Sequence, residues 1–260
     1  MGIMDKFRRK KQEDQEVTPG GSPIYRYEDQ EDRPFQMPKE MGLYAGEIDR
    51  HFAELFPGHE GFVFHELLSD LVHIDVHIIP PDEDLPFYVL YTTGMSDLPM
   101  TLPEEIEHPE LYRRGELYLF LPADWQLGKP GDSGTDIPPA YYWPIHLIKF
   151  LARFPHEYKT WLGWGHTMPN GPGYAPLGEG TGMGGVVLSA TDKIPPLKAE
   201  DGAVVNFYMV LPAYKEEIEY KLQYGMEKLE ERFMEGKVSL VWDIRRPNLC
   251  SDFTETVDGL

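Results

Sequence analysis

His73 to Met100 reads H-I-D-V-H-I-I-P-P-D-E-D-L-P-F-Y-V-L-Y-T-T-G-M-S-D-L-P-M, and its periodicity decides the fold. In the first six residues His73, Asp75 and His77 alternate with Ile74, Val76 and Ile78, which predicts a strand with one polar and one apolar face. Phe87 to Thr93 reads as a second strand, and Thr93 to Met100 as the loop that follows. Outward from this pair, Phe62 to Leu68 and Glu116 to Leu121 are further short apolar segments bounded by Asp, Gly and Pro, the pattern of a largely antiparallel sheet.

Helices flank these strands. Ile48, Phe52, Leu55 and Phe56 lie on one helical face that ends at Pro57-Gly58. Trp143, Leu147, Ile148, Leu151 and Phe154 form another stripe, with Pro144 placed in the first turn, where it needs no amide partner. Trp161–Thr167, Val186–Ser189 and Val204–Leu211 read as strands. Tyr214, Ile218, Leu222, Met226, Leu229 and Phe233 recur at helical spacing and predict one long amphipathic helix ended by Gly236. The expected fold is one α/β (α+β) domain, a mixed and mainly antiparallel sheet flanked by helices. Residues 1–38, polar and rich in Gly and Pro, are expected to be a disordered charged tail, residues 39–250 the domain, and residues 251–260 a C-terminal tail.

The His73–Met100 stretch resembles the signature of the Suppressor of fused domain family. Further segments resemble that family in the same order: Glu116–Trp125 (E-L-Y-L-F-L-P-A-D-W), Tyr141–Ala152, Trp164–Thr167 (W-G-H-T) and Phe207–Glu217 (F-Y-M-V-L-P-A-Y-K-E-E). The resemblance spans roughly residues 40 to 250. It implies a binding protein and not an enzyme, since the animal member sequesters transcription factors and many bacterial members look like immunity proteins for secreted toxins. An intracellular scaffold that captures an extended peptide on a sheet edge is the alternative, and an enzyme of unknown reaction ranks last.

Composition narrows the partner. The chain has 260 residues, 41% of them hydrophobic, enough to fill a sizeable core. Its single cysteine, Cys250, forms no internal disulfide and reads as a small buried hydrophobe, and no apolar run is long enough to span a bilayer, so a cytoplasmic location is expected. The basic cluster at the N-terminus, with Phe7, reads as a solvated tail, not an anchor. Against 24 basic side chains stand 44 acidic ones, a formal charge of −20 that repels nucleic acid and favours a basic protein partner such as a toxin domain. Acidic groups cluster at Glu28–Asp32, Asp82–Asp84 and Glu104–Glu110.

Candidate partner-binding residues are therefore Asp82, Glu83, Asp84, Glu104, Glu105 and Glu107, together with Ser96 and Asp97 in the loop that their side chains would rigidify. Gly94-Met95-Ser96-Asp97 has the start of a nucleophile elbow, but Leu98 stands where glycine is needed and Pro99 where a helix should begin. His73, Asp75 and His77 offer imidazole and carboxylate on one strand face, about 7 Å apart, without an HExxH or CxxC pair to complete a metal site. They are read as a hydrogen-bonded structural cluster, with no metal and no cofactor. Gly178–Gly185 precedes a strand, where a phosphate loop would follow one, and reads as part of a long flexible connection. His166 reads as a satisfied sheet histidine.

Overall fold

Ile74, Val76 and Ile78 are fully buried on one face of a sheet, where Leu90, Leu117, Leu119 and Leu121 join them. The computed structural model describes residues 16–27, 34–128 and 137–253. Its sheet runs β1 (Phe62–Phe64), β2 (Asp75–Ile79), β3 (Phe87–Thr93), β4 (Arg114–Pro122), β8 (Val204–Ala213), β6 (Gly185–Ser189) and β5 (Thr167–Pro169), while β7 (Leu197–Lys198) pairs with the start of β8. Of these strand pairs, only β4 with β8 runs parallel. This is the mixed, mainly antiparallel sheet expected from the sequence.

Side chains alternate across a sheet, so each face needs its own cover. Helix α2 (Pro139–Glu157) lays Ile145, Ile148 and Leu151 on the first face. On the second, Val89, Tyr91, Phe207 and Met209 meet Ile48 and Phe52 of α1 (Ala45–Leu55), Ile218 of α3 (Lys215–Tyr224) and Leu229 of α4 (Met226–Glu235). Each such side chain contributes roughly 1.5–3 kcal/mol by leaving water. The polar face read for His73–His77 is thus covered as well, and His77 is only 8% exposed.

Several elements differ from expectation. The predicted helix from Tyr214 to Phe233 is two helices, because Gly225 adopts φ +93°. The break frees carbonyls, and the Gly20 amide donates to that of Leu222 at 3.0 Å. Helix α2 begins at Pro139, which moves Pro144 out of the first turn. Residues 161–166 form no strand; Thr167–Pro169 is the strand that pairs with β6, and just before it Gly165 and His166 each share a backbone hydrogen bond with Leu188. Of Phe62–Leu68 the first three residues pair.

The N-terminal boundary also shifts. Tyr27 packs edge-on against Phe154 and Tyr158, with ring centres 5.0 and 5.3 Å away, and its hydroxyl is 2.6 Å from that of Thr160. Residues 16–27 therefore lie on the domain, whereas the basic N-terminal cluster and Glu28–Asp32 fall outside the described residues. The glycine-rich connection before β6 is likewise fastened: Asn170 Nδ2 donates to the carbonyls of Ala175 and Pro176, and Gly178 lies against the Trp143 ring.

Candidate functional site

The loop after β3 is built around Gly94, whose φ of +102° brings its backbone against the His73 carbonyl; a Cβ there would lie 1.8 Å from that oxygen. Only glycine fits. Met95–Asp97 then form one 3₁₀ turn, fixed from every side. Glu116, on β4, accepts from the Ser96 hydroxyl at 2.6 Å, the Ser96 amide at 2.8 Å and the Thr92 hydroxyl at 2.6 Å. Asp97 accepts from the amides of Gly42 and Leu43 at 2.7 and 2.8 Å. Arg114 donates to the carbonyls of Ser96 and Asp97, and His156 Nε2 lies 2.8 Å from that of Met95.

Burial governs the protonation of this network. Glu116 is fully buried among neutral donors, which pushes its pKa up to about 7, the hydroxyls opposing only in part. Burial lowers His156 to about 4, so its imidazole is neutral at pH 7. Ser96 is 0% and Asp97 3% exposed. Hydrogen bonds tie the loop down, but these two side chains face inward and present no surface to a partner. Sequence reasoning missed Glu116, whose place at the start of a predicted strand marked it only as a polar residue in an apolar run.

The predicted cluster of His73, Asp75 and His77 splits in two. His77 Nδ1 pairs with Asp49 of α1 at 2.9 Å, its Nε2 lies 3.0 Å from the Thr93 hydroxyl, and its ring stacks on Tyr91 at 4.7 Å. His73 and Asp75 instead meet His65, which follows β1. His166 sits edge-on to Trp161 at 4.3 Å, and burial lowers its pKa to about 4. Cys250 is fully buried and its thiol pushed up to about 11 by that burial.

The remaining candidates are at the surface. Asp82, Glu83, Asp84, Glu104, Glu105 and Glu107 are all exposed. Asp82 also shapes its own turn, accepting from the amides of Asp84 and Leu85 at 2.9 Å and pairing with His59 at 2.7 Å. His59 in turn lines a cleft of about 400 Å³ with Asp49, Phe62, His77, Ile79 and Tyr91. Glu104 borders a second cleft, of about 380 Å³, formed by Met100, Leu102, Pro103, Ile106 and Arg113. Each acidic cluster thus adjoins a partly apolar hollow. No helix among the described residues is long and apolar enough to cross a membrane.

Comparison with known proteins agrees with this architecture. An uncharacterized protein of Ureaplasma parvum is 22% identical over 185 residues, covering 71% of this chain and 84% of that one. A suppressor of fused homolog from Neisseria gonorrhoeae superposes with TM-score 0.56 at 17% identity, covering 79% of this chain and 96% of its own. A chain of the Sufu–Fu complex superposes with TM-score 0.57 at 16% identity, covering 80% and 92%. Drosophila Suppressor of Fused gives TM-score 0.56 at 17% identity, and its match covers 86% of this chain but 54% of that longer one. The profile of the Suppressor of fused protein (SUFU) family matches residues 70–247, well over half of the sequence, and the chain belongs to that family.

Proposed function

We propose that this protein is a binding module for a cationic protein, and that it serves as a cytoplasmic immunity protein that neutralises a secreted toxin domain by covering it. The observation that carries the reading is the pairing of each exposed acidic cluster, Asp82–Asp84 and Glu104–Glu107, with a neighbouring cleft. A basic side chain inserted into such a hollow would find apolar walls and a carboxylate rim. The charge of −20 adds long-range attraction, which raises association rates by factors of roughly 10 to 1000. Membership of a family that includes the Sufu–Fu complex supports protein binding as the mode of action.

Two other readings have less support. Capture of an extended peptide needs a long free sheet edge, and the outer strands β1 and β5 have three residues each, with Pro169 in β5 lacking an amide hydrogen. A serine enzyme needs an accessible nucleophile, and Ser96 is buried with its hydroxyl held by Glu116. The test is co-expression with the C-terminal domain encoded by the adjacent reading frame, in a host that this domain kills. Restored growth and a stable complex are expected; continued killing with no complex would refute the assignment for that pair.

A further inference from the structure

We propose that His65, His73 and Asp75 form a binding site for a divalent transition metal ion of the zinc class, clipping the base of the connection between β1 and β2. Their ligand atoms all lie within 4.8 Å of one another. His65 Nδ1 is 2.9 Å from Asp75 Oδ2, and His73 Nε2 is 3.1 Å from Asp75 Oδ1. Around zinc with bonds of about 2.0–2.1 Å, tetrahedral neighbours lie about 3.3 Å apart; the two histidine–carboxylate separations are already of that size, and a turn of the exposed His65 ring would close the remaining gap to the ion.

The surroundings are those of a metal ligand set. His73 Nδ1 is 2.6 Å from the Ser69 hydroxyl, an outer partner that fixes the ring and leaves Nε2 for the ion. The Glu66 amide donates to Asp75 Oδ1 at 2.9 Å and sets the carboxylate plane. Of the nearby cations, Arg153 pairs with Glu66, and the Lys149 ammonium lies over the Phe64 ring at 5.3 Å, where it also feels the charges of Glu66 and Asp75 without forming an ion pair with Asp75. Among the described residues the ion-pair partners of Asp75 are the two imidazoles alone. Two histidines and one carboxylate leave a fourth position, and the His65 side chain, 68% exposed, keeps that side open to water or to a partner's donor group. The clipped segment carries Leu67 and Leu68, both exposed, so the ion would hold an apolar loop in one conformation.

A shared proton is the competing occupant of the same geometry, and metal titration separates the two. The full chain, stripped with chelator, is titrated with Zn²⁺ by calorimetry and with Co²⁺ by visible absorption. One equivalent is expected to bind, with a four- or five-coordinate cobalt spectrum and a raised melting temperature. His65→Ala and His73→Ala should each weaken binding at least tenfold, while His108→Ala, at an exposed site elsewhere, should not change it. Absence of saturable binding, or one-equivalent binding that survives both substitutions, would overturn the site. Should His73→Ala fail to fold, His65→Ala carries the test, because that ring is mostly in solvent.

Discussion

The acidic side chains of this protein fall into two populations that composition alone treats as one. Glu116 and Glu217 are both fully buried, and Asp97 nearly so, whereas Asp82–Asp84 and the Glu104, Glu105 and Glu107 carboxylates stand in water. Buried carboxylates here come with complete sets of donors. Glu217 takes the Arg246 guanidinium through both oxygens at 2.5 and 2.6 Å, and accepts from the Tyr214 and Leu249 amides at 3.0 and 3.1 Å. Glu116 has hydroxyls and an amide but no cation, and so holds its proton to about pH 7. The inner acids fasten loops and termini to the sheet, and the outer ones are those to which the proposed function assigns the partner.

Removing an inner partner should cost most. Arg246→Ala leaves Glu217 buried without its cation and is expected to destabilise by about 3–5 kcal/mol, read by denaturant titration; a loss under about 1 kcal/mol would mean that water or relaxation replaces the pair. Asp97→Ala orphans the Gly42 and Leu43 amides, for an expected loss of about 1–3 kcal/mol by the same measurement.

The Glu116 test concerns pH. Its folded pKa is raised above the ordinary 4.5, so the folded state binds the extra proton and this contribution to stability falls as pH rises from 4.5 towards about 7. His156 and His166, lowered to about 4, act oppositely: their contribution is lost as pH falls below about 6.5. The informative quantity is therefore the wild type minus Glu116→Gln. That difference should slope downward with pH, by up to about 1.4 kcal/mol per pH unit within the window. Parallel curves would show that folding does not raise the Glu116 pKa. At the other extreme stand the outer acids: replacing Glu83, Asp84, Glu104, Glu105 or Glu107 singly by Lys should change stability by no more than about 0.5 kcal/mol.

Much of the sheet was legible because its core strands alternate strictly or run apolar: Ile74, Val76 and Ile78 reached the predicted face, and Phe87–Thr93 has the predicted bounds. What failed was information carried by tertiary contact. Apolar recurrence from Tyr214 to Phe233 continues through Gly225, so the break is written in one residue and not in the period. Tyr27 sits in a polar stretch with no helical or strand period, so nothing local to it points to the Phe154 and Tyr158 rings that it meets. Ser96 and Asp97 look like surface residues of a loop until Glu116, far along the chain on β4, is seen beneath Ser96. His65 lies ten positions before Asp75, across a turn that no local pattern links.

Association kinetics decide whether the outer acids serve a cationic partner. Once a complex with the toxin domain is in hand, stopped-flow binding at two salt concentrations compares the wild type with a charge-reversed variant in which Glu83, Asp84, Glu104, Glu105 and Glu107 are all replaced by Lys. Association slowed by roughly tenfold or more, a weaker salt dependence and little change in dissociation are expected. Unchanged association, or an effect confined to faster dissociation, would contradict that role.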